Sequence, residues 1–299
     1  MLASLTYLQA VIMGLLQGVT ELFPVSSLGH SVLLPGLLGW HNLVSSQAQS
    51  ESFFLVFLVG LHVGTACGLI VYYRATWFKL FRGLLVQLRA SRDEGASSLW
   101  RLSDATMDHD YRLLLLLVIG SIPVGLAGVV LDKPLRELFA KPLAAAVFLV
   151  INGVILLVGE RMRRHRGRHA RYESIATLNA RNAFTIGAAQ SLGLLAGISR
   201  SGATMVAGLT LGLDHEDAAN FAFLLATPVI LLAGLYKLPS LMGHLGQGVR
   251  TQTAVGAVCA GVAAYVAVRF LTRWFTTKTL NPFGIYCVVV GIAFTVHFA

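Results

Sequence analysis

The sequence predicts an all-α polytopic membrane protein, with six transmembrane helices and two re-entrant helical hairpins in an inverted-topology repeat. Of the 299 residues, 56% are hydrophobic and only 12% are charged, about half the charged share of a soluble globular domain. A soluble chain of this length needs more polar surface to stay in water. Residues 1–299 are therefore interpreted as a single integral membrane domain.

The apolar residues are gathered into six runs, separated by polar segments. Three of these runs contain no Asp, Glu, Lys or Arg over 19 to 21 residues. A helix of about 20 such residues crosses the hydrocarbon core of a bilayer. The three shorter runs can be extended by their flanks. The six predicted spans are Phe53–Tyr73, Leu113–Leu131, Leu143–Gly159, Ala218–Tyr236, Ala254–Val268 and Phe283–Ala299.

Two further apolar stretches are interrupted by polar residues and do not fit simple spans. In the first, at about residues 5–36, Pro24 disfavours helical geometry at Phe23. In the second, at about residues 182–213, Gly197 lowers the helix propensity. Polar, non-helical backbone at membrane depth is tolerated only where protein or a cavity surrounds it. Each stretch is therefore predicted to be a re-entrant hairpin.

The two hairpins also resemble each other in sequence. A gap-free alignment pairs Gln17 with Gln190, Leu22 with Leu195, Val25 with Ile198, Ser26 with Ser199 and Gly29 with Gly202. The chain is thus predicted to hold two repeats, residues 1–160 and 182–299, joined by a basic cytoplasmic loop at 161–181. Because three spans follow the first hairpin, the second opens on the opposite membrane face. Such inverted repeats place the functional site where the two halves meet.

The basic residues are distributed unequally between the two sides of this topology. Of the 23 Lys and Arg residues, 17 fall on one side and five on the other, with Arg200 inside the second hairpin. By the positive-inside rule, the first hairpin opens outward. The net charge of +9 is concentrated in the loop at 161–181, which indicates a cytoplasmic anchor rather than a nucleic-acid site. The first basic residue is Arg74, so the N-terminal stretch lacks the basic region of a signal peptide.

Ionisable and hydroxyl side chains are concentrated at the two breaks. Ionisable groups are costly at membrane depth, so Glu21, His30 and Arg200 are candidates for function. The structural alternative is a buried Glu–Arg pair, with neighbouring hydroxyls that satisfy the freed backbone. This alternative explains Arg200 alone better than it explains the whole set. The hydroxyl residues are Ser26, Ser27, Ser199, Ser201 and Thr204.

The kinds of side chain at the breaks indicate a phosphate-like anion. Arg200 offers a planar fork of donors, and Ser and Gly at the start of a returning helix add backbone N–H groups. Glu21 would repel a pyrophosphate unless it binds a divalent cation or acts as a base. A hard ion, Mg²⁺ or Ca²⁺, suits such oxygen ligands. Gln17, one turn earlier on the same helical face, is a second candidate ligand.

These residues resemble two motifs of the bacterial undecaprenyl-pyrophosphate phosphatases linked to bacitracin resistance. The first motif is Glu or Gln, three residues and a Glu, then Pro-Val-Ser-Ser-x-Gly-His. The chain has Gln17, Glu21 and the matching run at 24–30. The second motif, Pro-Gly-x-Ser-Arg-Ser-Gly-x-Thr, matches residues 197–204. Weaker similarity covers nearly the whole chain.

The sequence departs from the family pattern at three places. Gln17 stands where many members have Glu, which removes a charge and is expected to weaken metal binding. Ala196 replaces the usual proline, which should matter mainly for the helix break. The segment from Arg82 to Asp110 is longer and more polar than usual, and we expect it to be a solvated cytoplasmic loop.

The resemblance implies hydrolysis of undecaprenyl pyrophosphate to undecaprenyl phosphate at the outer face of the bacterial cytoplasmic (inner) membrane. This reaction recycles the cell-wall lipid carrier for peptidoglycan synthesis and confers bacitracin resistance. By family likeness Glu21 and His30 are catalytic, Ser27 is a candidate nucleophile and Arg200 holds the pyrophosphate. Whether Ser27 or a metal-bound water attacks is left open. His30 could serve as a base or a proton donor. The serines and the threonine of the two breaks are expected to bind phosphate.

Two other functions were considered. A polyprenyl-phosphate transporter could use the same inverted-repeat site, but Glu21 with His30 favours catalysis, because a carrier needs only the Arg and donors. Phosphatidic-acid phosphatases of type 2 share Ser-Gly-His and Ser-Arg motifs. They require a His six residues after the Arg, however, and this chain has Val206 there. The many Gly and Ala residues of the spans permit close packing within or between subunits, so a homodimer is left open.

Overall fold

Helices form the framework of the protein, as its composition predicts. The computed structural model describes residues 5–40, 42–44, 52–95, 99–100, 107–131, 141–165 and 174–299. The principal helices are α1 (Tyr7–Leu22), α2 (Ser27–Leu37), α3 (Phe53–Tyr72), α4 (Arg74–Glu94), α5 (His109–Val130), α6 (Pro142–His165), α7 (Ala180–Gln190), α8 (Arg200–Leu211), α9 (His215–Met242), α10 (Arg250–Trp274) and α11 (Asn281–Phe298).

Six of these helices, α3, α5, α6, α9, α10 and α11, are long and apolar enough to cross a membrane. Each corresponds to one of the six predicted runs, so the helical class and the six spans are confirmed. Several helices continue beyond the charge-free run: α10 covers Arg250–Trp274, whereas the run covers Ala254–Val268. Long basic side chains near helix ends can keep their charged heads in water while the helix continues.

Both broken stretches form a helix, a break and a second helix. Helix α1 ends at Leu22, because Phe23 precedes Pro24 and adopts an extended conformation with φ −62° and ψ 138°. Helix α7 continues as a 3₁₀ turn, Ser191–Leu194, before the chain breaks. The helical form of both hairpins is therefore as predicted. Their entry and exit on one membrane face stays a prediction.

The positions paired in the sequence alignment have equivalent roles in the two hairpins. Ser26 is the N-cap of α2, and its side chain accepts from the backbone N–H of Gly29. Ser199 is the N-cap of α8 and accepts in the same way from Gly202. Such caps satisfy helix N–H groups that have no partner within the helix. The weak similarity of the hairpins thus reflects a shared way of starting the returning helix.

The two halves of the chain exchange equivalent helix contacts. The first helix of each hairpin packs against a span of the other half, α1 against α10 and α7 against α5. The spans that follow the hairpins, α3 and α9, pack on each other, and so do the last spans, α6 and α11. This is the pattern of pairing expected when two similar units are related by a pseudo-twofold axis.

Glycines bring backbones into contact at two helix interfaces, α5 with α7 and α3 with α10. A Cβ placed on Gly187 of α7 would lie 1.9 Å from the carbonyl oxygen of Gly120 on α5. A Cβ on Gly64 of α3 would lie 2.0 Å from the carbonyl oxygen of Ala257 on α10. No side chain fits at such distances, so small residues set the spacing of these helices.

Two predicted loops are partly helical. The segment Arg82–Asp110 was expected to be a solvated loop, but α4 continues to Glu94 and α5 starts at His109. An amphipathic apolar spacing in this segment, masked by its many charges, explains the difference. The basic loop predicted at 161–181 begins later than expected, because α6 runs to His165. Residues 166–173 lie outside the described part of the chain.

Candidate active site

A cavity of about 140 Å³ lies between the two breaks. This volume is about ten times what a single buried water needs. Its polar lining comes from both halves of the chain: Glu21, Ser26, Ser27, His62, Ser199 and Arg200. Its apolar lining includes Val124 on α5 and Val229, Ile230 and Ala233 on α9. The cavity therefore offers a polar part, from the two breaks and His62, together with aliphatic groups.

Glu21 is the centre of the polar part. It lies in the last turn of α1, and only 6% of its surface is exposed. Its Oε1 atom accepts from Nη2 of Arg200, so the two hairpins are joined by an ion pair. Its Oε2 atom accepts from Oγ of Ser27 and, at 2.8 Å, from Nε2 of Gln17. The Glu21 carboxylate thus contacts residues of both predicted motifs, Ser27 of the first and Arg200 of the second.

His62 is a further residue beside the Glu21 carboxylate. It lies on α3, and its Nε2 atom is 3.4 Å from Oε2 of Glu21. Its Nδ1 atom is 2.7 Å from the carbonyl oxygen of Leu58. Both ring nitrogens therefore face acceptor atoms when Glu21 is ionised. A neutral imidazole has only one N–H, so a protonated ring matches both contacts better.

The turn at Ser26 brings Ser27 towards Glu21. Ser26 has φ 69°, the only positive φ of a non-glycine residue in the described ranges. Its Oγ accepts from N–H of Gly29 at 3.2 Å and of Gly197 at 3.1 Å. Gly197 itself has φ 106°, and a Cβ there would lie 2.3 Å from the carbonyl oxygen of Ala145. Unusual backbone conformations of this kind persist where the surroundings hold them and are common at functional sites.

The hydroxyls of the second break differ in position. Ser199 lines the cavity, caps α8 and lies 3.1 Å from the hydroxyl of Ser201. Ser201 also donates to the carbonyl oxygen of Phe23, across to the first hairpin, at 3.4 Å. Thr204 donates to the carbonyl oxygen of Arg200 at 2.7 Å, within its own helix. Ser199 is thus placed to meet a ligand, while Ser201 and Thr204 form contacts behind it.

Asn152 holds the two breaks together from α6. Its Nδ2 donates to the carbonyl oxygen of Pro24 at 3.0 Å, and its Oδ1 accepts from N–H of Ser199 at 2.8 Å. The side chain is fully buried. These two bonds satisfy backbone groups that the breaks leave without helical partners. The relative position of the hairpins therefore depends on a residue in neither of them.

His30 is near the site but is not part of the cavity lining. Its Nδ1 is 2.7 Å from the carbonyl oxygen of Ser26, and its Nε2 is 2.9 Å from the hydroxyl of Tyr286 on α11. Nδ1 therefore carries the proton, and Nε2 accepts from the tyrosine. In this arrangement the ring supports the turn that precedes Ser27. A direct catalytic role for His30 stays a prediction.

The structure thus brings together Glu21, Ser26, Ser27, Ser199 and Arg200 around one cavity, with Gln17 behind Glu21. Sequence reasoning missed His62, Asn152 and Tyr286. Each lies inside a predicted span that contains no fully charged residue. His62 and Asn152 could have been found by treating every histidine and asparagine at membrane depth as a polar group that requires a partner.

The expected divalent cation would need oxygen ligands at this site. Among the residues that the structure describes, no group of three or more His, Cys, Asp or Glu side chains could hold a metal ion. Two oxygen donors are nevertheless present, Glu21 and the Oε1 atom of Gln17, which is buried and has no hydrogen-bond partner. Mg²⁺ is commonly held by one or two carboxylates together with substrate phosphates. Glu21 lines the cavity and therefore fits a cation that binds together with a phosphate ligand, whereas Gln17 lies behind it, outside the lining, with its Nε2 towards Glu21.

Fold and site together define a class: a polytopic membrane protein with a polar cavity between two broken-helix hairpins. The sequence matches the family described as bacitracin resistance protein BacA over residues 10–293. That match covers nearly the whole chain. The chain belongs to this family.

Individual relatives agree with this assignment over their full length. The chain is 46% identical to undecaprenyl-diphosphatase 2 of Frankia alni, with 99% of this chain and 98% of the relative covered. It is 47% identical to the undecaprenyl-diphosphatase of Mycolicibacterium paratuberculosis, with coverage of 100% and 99%. It is 43% identical to that of Acidiphilium cryptum, with coverage of 96% and 96%.

Proposed function

We propose that this protein hydrolyses undecaprenyl diphosphate to undecaprenyl phosphate and inorganic phosphate, and so recycles the lipid carrier of cell-wall synthesis. The observation that carries the proposal is the bond from Ser27 Oγ to Glu21 Oε2, in a cavity that Arg200 also lines. A hydroxyl, an adjacent base and a guanidinium are the groups that phosphoryl transfer requires. The names of the full-length relatives support the same reaction.

The diphosphate binds at the polar part of the cavity. Arg200 uses Nη2 for Glu21 and Nη1 for the carbonyl oxygen of Ala226, at 3.4 Å. A guanidinium has five N–H donors, so others remain for phosphate oxygens. The N-termini of α2 and α8, capped by Ser26 and Ser199, add backbone N–H groups at the same place. The aliphatic residues of the lining, on α5 and α9, receive the first part of the polyprenyl chain.

Ser27 is the nucleophile in this proposal. Its oxygen attacks the terminal phosphorus, its proton passes to Glu21, and the bond from that phosphorus to the bridging oxygen breaks. Undecaprenyl phosphate leaves with a proton from His62, and Glu21 passes the proton of Ser27 to His62, so that the carboxylate is ionised again. Water then gives a proton to Glu21 and attacks the phosphoserine; the bond from phosphorus to Ser27 Oγ breaks, Ser27 regains a proton from Glu21, and inorganic phosphate is released. Ser26 is less suited to attack, because its oxygen already accepts from Gly29 and Gly197.

His62 acts beside Glu21. Its protonated ring stabilises the ionised carboxylate. With His62 and Arg200 positive and Glu21 negative, the three side chains together carry one net positive charge. Such an excess offsets the charge of a diphosphate. The ring also lines the cavity, so it can donate a proton to the leaving phosphate.

A divalent cation is part of the proposal as a partner of the substrate. Glu21 and Gln17 would hold it, and it would supply neutralisation of charge on the phosphoryl oxygens. The proton transfers between Ser27 and Glu21 need no other group.

The location and assembly of the protein are also proposed. The unequal distribution of basic residues places the first hairpin towards the exterior, which supports a site that faces the periplasm in a bacterial inner membrane. The glycine contacts at Gly64 and Gly187 occur within one chain. They therefore lend no support to a homodimer.

The alternative of a polyprenyl-phosphate transporter gains no support from the comparisons, because the relatives are named diphosphatases. The site also contains a hydroxyl bonded directly to a buried carboxylate, which a carrier does not need.

The test is phosphate release from undecaprenyl diphosphate by the purified protein. We expect wild-type protein to release one phosphate per lipid and Ser27→Ala to reduce the rate at least about 1,000-fold, as loss of a nucleophile does. Ser121→Ala is the matched control, since it removes a span hydroxyl that bonds only to its own helix, at Leu117. Normal turnover by Ser27→Ala would overturn the covalent step, and no release by wild-type protein would overturn the function.

A further inference from the structure

Helix α4 has three different faces, and one of them packs against the other residues that the structure describes. The packed face carries Leu80, Gly83 and Gln87, all buried and spaced by three and four residues. A Cβ on Gly83 would meet the side chain of Asp108 and the backbone nitrogen of Tyr111, at the start of α5. Helix α4 therefore lies against the beginning of the next span.

The second face of α4 is apolar and exposed. Phe78, Phe81, Leu85 and Leu88 follow one another at helical spacing, with 71%, 56%, 57% and 42% of their surface exposed. Four large apolar side chains in a row on one exposed face are unfavourable in water. This face therefore requires an apolar surrounding.

The third face of α4 is basic and adjoins the apolar one. Lys79, Arg82 and Arg89 are exposed and share one side of the helix at the same spacing. Within the described part of the chain, none of them forms an ion pair with a carboxylate. The helix thus presents fixed positive charge beside its apolar face.

The position of α4 in the chain places its start near a membrane surface. Helix α3 is a candidate span that ends at Tyr72, and α4 begins at Arg74 after a single turn residue. We propose that α4 lies in the plane of the membrane, with its apolar face among acyl chains and its basic face bound to anionic phospholipid headgroups. Exposed apolar and basic faces side by side are typical of interfacial helices.

The basic face of α4 favours contact with anionic lipid over contact with a second copy of the chain. In a twofold dimer through the apolar face, the same patch meets itself, so the basic faces would be brought together. Like charges so placed repel each other. An anionic headgroup layer, in contrast, supplies the opposite charge.

The test measures which lipids touch this face in the full-length protein. A fluorophore is attached at Leu85→Cys, with Cys67 and Cys259 changed to Ala, and the protein is placed in bilayer discs. Brominated phosphatidylglycerol or brominated phosphatidylcholine is included at equal mole fraction as a contact quencher. We expect enrichment of phosphatidylglycerol by at least about fivefold, the effect of one basic residue near an anionic surface.

Two controls isolate the charge effect. The triple variant Lys79→Gln, Arg82→Gln, Arg89→Gln should lower the enrichment to about one while both lipids still quench. A label at Val129→Cys should show no preference, because it is exposed at the far end of α5 from the helix start that α4 contacts. Phosphate release by each variant checks that it is folded, since α4 lies outside the cavity lining.

Equal quenching by the two lipids in the otherwise wild-type protein would overturn the headgroup assignment. Absence of quenching by both would show that the face lies in water or against a second copy, and would overturn the whole proposal. Raising the salt concentration should weaken the enrichment, because the charges are at the surface.

Discussion

At the level of single residues, the proposed mechanism depends on which histidine takes part in the reaction. His62 lies 3.4 Å from the Glu21 carboxylate, whereas both ring nitrogens of His30 are bound to Ser26 and Tyr286. The two histidines should therefore contribute in different ways. We expect His62 to act on charge and protons, and His30 to act through the conformation of the turn that presents Ser27.

Substitution of each histidine separates these roles. His62→Gln should lower kcat by roughly 100-fold or more, the usual contribution of a proton-transfer group, and should remove one ionisation from the pH profile of kcat. His30→Gln should lower kcat but keep the shape of that profile. His297→Gln, at an exposed position near the C-terminus, serves as the control. An unchanged pH profile in His62→Gln would contradict its role.

The position of Gln17 makes a second prediction at this scale. Its Nε2 donates to Glu21 at 2.8 Å, so Gln17→Glu would put two carboxylates in contact. A divalent cation relieves that repulsion. We expect this variant to need a lower Mg²⁺ or Ca²⁺ concentration for half-maximal phosphate release, and excess chelator to abolish activity in both forms. Full activity in chelator would exclude Glu21 and Gln17 as cation ligands.

Single residues also show what the sequence could and could not predict. The motifs identified Glu21, Ser27 and Arg200, which the structure brings together. The positive φ of Ser26 was not predictable, because it depends on a hydrogen bond from Gly197, distant in the sequence. His62 was overlooked because a histidine does not interrupt an apolar run as a charged residue does.

At the scale of elements, the site depends on how the two hairpins are held against each other. Asn152 of α6 bonds to Pro24 in one break and to Ser199 in the other. The Glu21–Arg200 ion pair forms a second link. The hairpins were predictable from local sequence, whereas their link through α6 was not, since it joins three distant parts of the chain.

Removal of the Asn152 link should be costly. Asn152→Leu leaves the buried N–H of Ser199 without its partner and the carbonyl of Pro24 with only the weak Cys287 thiol donor at 3.8 Å, which should lower the free energy of unfolding by about 2–4 kcal/mol. The midpoint temperature of unfolding in detergent and the rate of phosphate release should both decrease. Ile151→Ala, a change at the exposed neighbouring position, should have a smaller effect. A variant Asn152→Leu as stable as wild type would contradict the importance of this link.

At the scale of the whole molecule, the main expectation is that the two halves are inverted. The exchange of contacts between α1 and α10 and between α7 and α5 supports a pseudo-twofold arrangement. The count and class of the spans followed from composition and run length alone. Their direction across the membrane depends on the positive-inside rule.

Labelling from either side of the membrane tests that direction. With Cys67 and Cys259 changed to Ala, a cysteine at Arg164 should react only from the cytoplasm, and one at Lys141 only from outside. Both positions are exposed, one at each end of the same span, α6. Reaction of position 164 from outside would contradict the proposed orientation.

The central claim is that Glu21 is part of the chemistry and not only part of a buried ion pair. The most direct measurement is phosphate release alongside lipid binding by purified Glu21→Gln, with Glu216→Gln, at an exposed helix start, as control. Glu21→Gln keeps the size and shape of the side chain, but one acceptor oxygen becomes an N–H₂ donor and the side chain cannot accept the proton of Ser27. We expect the Glu21→Gln variant still to bind undecaprenyl diphosphate but to release almost no phosphate. Near wild-type release by Glu21→Gln would contradict the account.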